Sequence, residues 1–453
     1  MKSVLVVSND HVGRSMAGPG IRSYELARRL ARRFAVTLVV PYETDLPAHE
    51  LRIAVISPAE DGALTALASS GFDAVFAQRL PLTTMAHLAR SRITRVYDLY
   101  APISIELLAS LAAEPGYAPP RELVRRELIT GTTLLQTGSS FVCASEGQRD
   151  YWLGRLEGVG RLGPAVYAAD PSLRSLIDVV PFGVPTERPR PGPAIKGVIP
   201  GISRSDRVIL WNGGIWNWFD PVTVIRAVGE LARRRDDVRL VFMGTTHPNP
   251  TIVQRARAEE ASRCARALGL LDTVVFFNEG WVPYEERGAF LLDADVGVSA
   301  HRETFESRLA FRTRVLDCLW AELPVVVTKG DAMADLVDRH GLGRTVGVDH
   351  VEGWVDALST LLDDSGARET ARRALTEVRR TFEWDALVER LVPLLERPGE
   401  PLLMPGFRRR RLRELGIRGL ASYRHRGARS FVTRIGWHAR SVARRRLGAS
   451  GEH

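Results

Sequence analysis

Short apolar runs recur along the chain, and most are followed by stretches with helical spacing. Ser3–Ser8 contains Val4-Leu5-Val6-Val7, a run of strand length bounded by polar residues. Gly18-Pro19-Gly20 then predicts a turn, and Ile21–Arg33 places Leu26, Ala27, Leu30 and Ala31 on one helical face. Val36–Val40, Ala74–Ala77, Arg95–Leu99 and Ser140–Cys143 are further short strands, and Asp178-Val179-Val180-Pro181-Phe182-Gly183-Val184 closes this half. Pro185 to about Ser205 is dense in Pro and Gly and predicts a linker. The alternation then restarts. Strands are predicted at Val208–Trp211, Val238–Met243, Thr273–Phe277, Val296–Ser299 and Pro324–Thr328, and helices at Pro221–Arg235, Tyr284–Leu292 and Arg312–Trp320. Phe382–Leu395, with Trp384 near its start, predicts one more helix. Strands alternating with helices imply crossover connections and parallel sheets. The fold class is therefore α/β, with two doubly wound domains facing each other. Ligands of such sheets sit beyond the carboxyl ends of the strands, which here means the cleft between the domains.

Composition sharpens this picture in three places. A chain of 453 residues suits two or three domains. No run approaches the ~18–20 uncharged apolar residues of a membrane span, and the run after Met1-Lys2-Ser3 is too short for a secretory signal. Cys143, Cys264 and Cys318 are odd in number and far apart, so neither a disulfide framework nor a zinc spacing can be built. These features lead to the expectation of a cytoplasmic protein. The net charge of +9 belongs to one end. Residues 407–453 hold fourteen arginines and no lysine against Glu414 and Glu452, so the rest of the chain is mildly acidic. A nucleic-acid-binding body would carry its basic face on the fold itself, so no specific nucleic-acid partner is expected. Leu412, Leu415, Ile417, Leu420, Tyr423, Phe431, Ile435 and Trp437 are interspersed among the arginines. That mixture is what interfacial basic helices use on anionic headgroups, so residues 407–447 are expected to dock on the inner face of the cell membrane.

Candidate chemistry gathers where strands end. Gly18 and Gly20 lie between the first strand and first helix, where a phosphate can approach backbone at a helix N-terminus; the spacing is not that of a dinucleotide fingerprint. Trp211-Asn212-Gly213-Gly214-Ile215-Trp216-Asn217-Trp218 follows the first strand of the second half. Its tryptophans either pack beneath the loop or wall a planar or sugar ligand. His301-Arg302-Glu303-Thr304-Phe305-Glu306 runs on to Phe311-Arg312-Thr313-Arg314-Val315-Leu316-Asp317. Guanidinium groups at a helix start, beside free N–H groups, suit a diphosphate. Asp317, further along that helix, suits a ribose diol. Asp98 ends a strand of the first half, placed either to orient an acceptor hydroxyl or to cap a turn, and His301 ends a strand of the second; His11 and His247 are weaker candidates. There is no H-E-x-x-H, no D-x-D in strand context and no Cys/His cluster, so no metal is assigned.

From Met1 to about Leu395 the chain resembles the GT-B glycosyltransferases of family 4. Their donor-binding segment has the form E-x-F-G-L-x-x-x-E-A-M-A-x-G-x-P-V-V, and Phe311-Arg312-Thr313-Arg314-Val315-Leu316-Asp317-Cys318-Leu319-Trp320-Ala321-Glu322-Leu323-Pro324-Val325-Val326 lies over it. The resemblance implies that Asp317 stands for the ribose-binding glutamate and that backbone near Arg312 and Thr313 meets the diphosphate. It implies that Gly280-Trp281-Val282-Pro283 contacts the base, Gly18-Pro19-Gly20 forms the N-terminal glycine loop, and Phe382-Glu383-Trp384 starts a helix crossing back onto the first domain. The domains implied are two Rossmann-like units, 1–187 on the acceptor side and 203–380 on the sugar-nucleotide side, then the crossover helix 381–397 and the arginine-rich helical tail 407–453.

The chain departs from the family pattern twice. The first family glutamate falls on Leu309, leaving Glu306 or Glu303 to take its role with the sugar hydroxyls. The basic pair usual after the first strand of the second domain is absent, leaving Arg312 and Arg314 to face phosphate. Together the resemblance and the residues imply a retaining, metal-independent transferase of the surface-polysaccharide type. It would move a hexose-type sugar from a sugar nucleotide, a co-substrate with no further cofactor, to a glycan or lipid-linked acceptor. Asp98, Glu306 and Arg312 are the catalytic candidates. Two rivals share the architecture: a sugar-nucleotide epimerase, and a non-catalytic protein that binds a membrane or a partner.

Overall fold

Val4, Leu5 and Val6 are wholly inaccessible to solvent, because both faces of the strand β1 (Ser3–Val7) are covered. A strand buried on both faces reads as a continuous apolar run, which is why no polar alternation marks it. β2 (Ala35–Val40), β3 (Arg52–Val55), β4 (Ala74–Ala77), β5 (Thr94–Asp98), β6 (Ser140–Cys143) and β7 (Ile177–Val179) join it in one parallel sheet of order β3-β2-β1-β4-β5-β6-β7. The second sheet contains β8 (Arg207–Trp211), β9 (Val238–Phe242), β10 (Val275–Phe277), β11 (Val296–Ser299), β12 (Val325–Thr328) and β13 (Gly343–Val346), in the order β10-β9-β8-β11-β12-β13 and again parallel. The computed structural model describes residues 1–46, 51–58, 60–113, 121–245 and 256–402, and all structural statements refer to these. His247 and the arginine-rich stretch 407–453 lie outside them.

Strand order reverses between β1 and β4 in the first sheet and between β8 and β11 in the second. At such a switch the following chains turn to opposite faces and leave a crevice. The chain leaving β1, β8 and β11, residues 8–17, 212–220 and 300–304, lies at the two crevices, and the candidates Gly18, Gly213, Gly214, Trp216 and His301 lie in or next to it.

Two sequence expectations change. Gly18-Pro19-Gly20 is not a turn but the first turn of the helix Gly18–Leu30, with Pro19 in its opening turn. Proline fits there because its missing N–H would have no helical partner. The predicted helix Tyr284–Leu292 starts only at Arg287, after a turn in which the Glu286 and Arg287 N–H groups both meet the Pro283 carbonyl, while the Tyr284 N–H meets the Arg14 carbonyl of the other domain at 2.7 Å.

Among the described residues the two domains touch at several places besides the linker, three of them hydrogen bonds to a main-chain carbonyl. Trp281 Nε1 donates to the Met16 carbonyl at 3.3 Å, the Tyr284 N–H meets Arg14, and Gln148 Nε2 donates to the Leu309 carbonyl at 2.8 Å. The helix Trp384–Glu396 then packs on the first domain. Trp384 is fully buried, 5.0 Å from Phe182 between ring centres, over Gly183, where a Cβ would lie 2.5 Å from the indole. The chain beyond it runs along the starting ends of the strands: Arg95 Nη2 donates to the Glu400 carbonyl at 2.6 Å and the Leu402 N–H to the Ala89 carbonyl at 2.7 Å. No helix among the described residues is long and apolar enough to cross a membrane.

Candidate active site between the two sheets

β8 delivers the chain into a turn at Gly213, whose φ of +95° is accessible to glycine at no steric cost. Asn212, buried, donates from Nδ2 to the Arg314 carbonyl at 2.8 Å and fastens the turn to the start of the helix Thr313–Trp320. Arg314 returns the contact, donating from Nη2 to the Gly214 carbonyl at 2.6 Å. Its guanidinium lies 4.0 Å from the Phe219 ring centre and 4.9 Å from that of Trp211. It is 8% exposed, makes no ion pair with any described carboxylate, and its Nη1 has no hydrogen-bond partner. Burial, and then the charge of Arg312, push the guanidinium down to about 9, so it is still cationic at neutral pH. A buried cation without a counter-ion is costly, and an anion brought to the Gly213–Gly214 turn relieves that cost.

Arg312 behaves differently, and the expected two-arginine clamp is corrected here. It makes two bonds to Glu306, at 3.0 and 2.7 Å, and its Nε lies 3.4 Å from Asp331 Oδ2. With two carboxylates against it, Arg312 is neutralised, and Arg314 alone carries free charge. Glu306 is correspondingly withdrawn from any sugar: it is 3% exposed and both oxygens are occupied. Glu303 is exposed to solvent instead. Leu309, where the first family glutamate falls, is buried, with its carbonyl turned to Gln148.

The helix Thr313–Trp320, fastened to the glycine turn through Asn212, has no side-chain cap on its first N–H groups. His301 is 2% exposed, with Nδ1 3.1 Å from the Arg302 carbonyl and Nε2 3.4 Å from Asp331. Burial first, then the neighbouring Arg312, lower its pKa, so it is neutral at pH 7. Asp331 was missed in the sequence. It caps the helix Ala332–His340 through Oδ1, at 2.9 and 2.8 Å from the Met333 and Ala334 N–H groups, and turns Oδ2 to His301 and Arg312.

Asp317 is half-buried, with Oδ1 3.2 Å from Arg287 Nε. Gly280 (φ +116°) lets the base-loop candidate turn, but the Val282 side chain is buried in the core, so its backbone alone can line a site. The Trp281 indole lies across Gly214, within 3.4 Å of where a Cβ there would stand. Trp216 stacks on Trp218, 5.5 Å apart and nearly parallel, and both remain half-buried.

On the first domain, Asp98 is the counter-ion of a buried arginine and also lines the cavity beneath it. Arg22, with no exposure, donates to both its oxygens, from Nε at 2.6 Å and Nη2 at 3.0 Å. Gly20 is reassigned. A Cβ there would lie 2.1 Å from the His11 carbonyl oxygen, so it serves close packing of its own loop. Gly18 stands near Tyr100 and Phe182, with no such restriction.

Below Asp98 a cavity opens, lined by Tyr100, Ser104, Thr130, Trp152, Arg155 and Arg79 among others. Arg79 is held by Glu127 in a two-bond pair at 2.6 and 2.7 Å. Arg155 meets no carboxylate; it lies 5.0 Å from the Trp152 ring centre and is 3.5 Å from the Tyr151 hydroxyl. Ser104 and Thr130 are more than nine-tenths buried and line the cavity with hydroxyls. A second cavity adjoins it, sharing Arg79 and Thr130, at the carboxyl ends of β1, β2 and β4. Apart from Asp98, these lining residues were not singled out in the sequence: Ser104, Thr130, Trp152 and Arg155 lie on helices that carried no clear pattern there, and Arg79 and Tyr100 lie in loops after strands.

Glu106, also missed, sits on the helix Ile103–Ala113, which packs against the short helix Phe305–Leu309 of the other domain. Burial, with the charge of Glu306 added, raises its carboxyl to about 7, against an opposing pull from Arg312. A carboxyl raised on folding stabilises the fold fully below its ordinary value of 4.5, and that contribution fades as pH rises through about 7. Glu106→Gln should therefore flatten the fall in melting temperature between pH 5 and 8 relative to the parent chain. Superimposable pH profiles would contradict this assignment.

Residues 206–364 match the family model described as Glycosyl transferases group 1. D-inositol 3-phosphate glycosyltransferase from Kineococcus radiotolerans is 32% identical over 248 residues, 51% of this chain and 53% of that one. The chain thus spans about half the length of the curated relatives it matches. Among solved structures, Anabaena HepE in complex with UDP-glucose superposes with a TM-score of 0.62 at 14% identity, over 87% of this chain and 99% of that one. A UDP-N-acetylglucosamine 2-epimerase from Listeria monocytogenes, so named provisionally, superposes with 0.52 at 12% identity, over 86% and 95%. The two-domain architecture is GT-B, and the match to the Glycosyl transferases group 1 model lies in its second domain.

Proposed function

We propose that this chain is a glycosyltransferase that moves a sugar from a sugar nucleotide to a phosphate-bearing hydroxylated acceptor, with retention of configuration and without a divalent metal. The observation that carries the reading is Arg314, a buried guanidinium facing the Gly213–Gly214 turn with no carboxylate against it. Arg314, the N–H groups at Thr313 and the glycine turn would hold the diphosphate, Asp317 the ribose diol, and the backbone of Gly280–Val282 the base. The relation to a UDP-glucose-bound neighbour supports a nucleotide sugar of that chemical class.

In the transfer, the bond from the anomeric carbon to the diphosphate oxygen breaks. The bond to the acceptor oxygen forms on the same face. The acceptor proton passes to the departing phosphate oxygen, which needs no protein base. That suits a cleft in which Asp98, Glu306 and Glu127 are all occupied by arginines. The protein then contributes positioning and charge stabilisation of the leaving group, and Arg314 does for the diphosphate what a metal ion does elsewhere.

The acceptor end rests on Arg155, which has no acidic partner among the described residues, and on Ser104 and Thr130, which line the same cavity. The relatives' printed name, with its inositol phosphate, points to the same chemistry. For residues 407–447, outside the described structure, composition alone supports an anionic membrane surface, which would suit a lipid-linked phosphate acceptor.

The test is turnover of UDP-glucose with inositol phosphate, sugar phosphates and a lipid-linked sugar diphosphate, before and after exhaustive chelation. The expected result is a glycosylated phosphate ester of unchanged anomeric configuration in both conditions. An inverted product, dependence on added manganese, or conversion of the donor to its epimer with no transfer would each overturn the reading.

A further inference from the structure

Asp317 does not stand alone in its helix. One carboxylate oxygen is held by Arg287, and the other makes no hydrogen bond. Arg287 is buried and sandwiched, 3.8 Å from the Tyr284 ring centre and 4.4 Å from that of Trp320. The two rings, with a bond from Nη1 to the Tyr284 carbonyl at 2.5 Å, fix the orientation of the planar guanidinium, and a shift of either ring alters it. Each ring is fastened outside the second domain. The Tyr284 hydroxyl donates to Glu25 Oε1 at 2.8 Å on the first helix of the first domain. Trp320 Nε1 donates to the Glu187 carbonyl at 2.7 Å in the linker. Glu25 is paired in turn with Arg29, whose Nε lies 3.7 Å from Asp385 on the crossover helix. A continuous chain of polar contacts therefore runs from Asp317 through Arg287 and Tyr284 to the other domain and to the helix that ties the domains together. Burial raises the Tyr284 pKa, so its hydroxyl remains a donor across the working pH range.

We propose that Arg287 is a positioning residue through which the domain arrangement sets the grip of Asp317 on the donor ribose, with the Tyr284–Glu25 hydrogen bond as the contact that transmits it. The proposal rests on the reading of Asp317 as the ribose-binding carboxylate. When the domains part, Tyr284 loses Glu25, the sandwich loosens, and the free oxygen of Asp317 is no longer aimed. Ribose recognition then belongs to the closed arrangement rather than to the second domain by itself. Groups outside the first contact shell commonly act this way, by fixing the orientation of the group that touches the ligand.

The experiment compares two ligands that differ only at the ribose. The full chain is titrated by calorimetry with whichever of UDP, GDP and ADP it binds most tightly, and with the 2′,3′-dideoxy form of the same nucleotide. The ratio of the two affinities cancels any general weakening that a merely structural substitution would cause. The parent chain should favour the ribonucleotide by about tenfold or more, the size of a charged hydrogen bond. Asp317→Asn should remove most of that preference. Tyr284→Phe, which keeps the ring under Arg287 and deletes the hydroxyl, should lower it by about threefold or more, and Arg287→Met by more still. A full preference in Asp317→Asn would overturn the ribose reading itself. A preference lost in Asp317→Asn but intact in Tyr284→Phe would overturn the coupling while leaving that reading in place, whatever Arg287→Met does.

Discussion

Asp98→Ala should cost about 3–5 kcal/mol of folding stability, the range for breaking a buried ion pair by removing one partner. Arg22 has no solvent to fall back on: it is fully buried, and besides Asp98 it meets the Val180 and Pro181 carbonyls, at 2.8 and 2.7 Å, and the Tyr100 ring, 5.4 Å from its centre. Those dipoles orient a guanidinium but do not neutralise it. The pair joins the first helix, the end of β5 and the segment after β7, so its loss loosens the crevice of the first domain. Urea unfolding of Asp98→Ala and of the double variant Arg22→Met with Asp98→Leu checks this. The double variant should recover most of the loss, because it removes the charge along with its partner. A single-variant loss below about 1 kcal/mol would show that the pair is not the buried counter-ion arrangement described.

Much of the fold was legible because parallel strands covered on both faces announce themselves. Ala74–Ala77, Ser140–Cys143 and Val296–Ser299 coincide with β4, β6 and β11 residue for residue. β3 was not legible: Arg52 and Val55 are exposed at the sheet edge, so no apolar run forms. The helix Ile103–Ala113 was missed for the opposite reason, since ISIELLASLAA is apolar nearly all round and shows no helical face. Strand order was beyond reach, because local pattern does not say which strands become neighbours.

The candidate site divides in the same way. Its location after β8 and β11 follows from the rule about strand ends and was readable. The division of labour between Arg312 and Arg314 was not. Arg312 finds Glu306 because the chain turns back after the short helix capped by Thr304, a pairing six residues apart that spans the end of that helix and the link to the next. Asp331 and Arg287, which complete the neighbourhoods of Arg312 and Asp317, come from elements distant in sequence and carried no local signal.

Arg314→Met should weaken nucleoside diphosphate binding by about 10- to 100-fold, the loss of a charged hydrogen bond of about 1.5–3 kcal/mol, while the ligand-free protein becomes no less stable. These two directions together separate function from architecture. Were Arg314 structural, removing it would destabilise the fold, as with Arg22. But its cation has no carboxylate partner, and burial already pulls its pKa down to about 9, which means that the folded protein disfavours the charge. Methionine fills much of the same space against Trp211 and Phe219 without a charge to desolvate. It forfeits the charged bond to the Gly214 carbonyl, worth about 1.5–3 kcal/mol, and the ring contacts of the cation, against the several kcal/mol that an unpaired buried cation costs in desolvation. A protein that keeps such a group at a destabilising position keeps it for what arrives there. Calorimetry with UDP and thermal unfolding without it measure the two effects on one preparation. Unchanged affinity would move the diphosphate elsewhere. A melting temperature lowered by several degrees would make Arg314 a structural residue, and the proposed transfer would lose the observation that carries it.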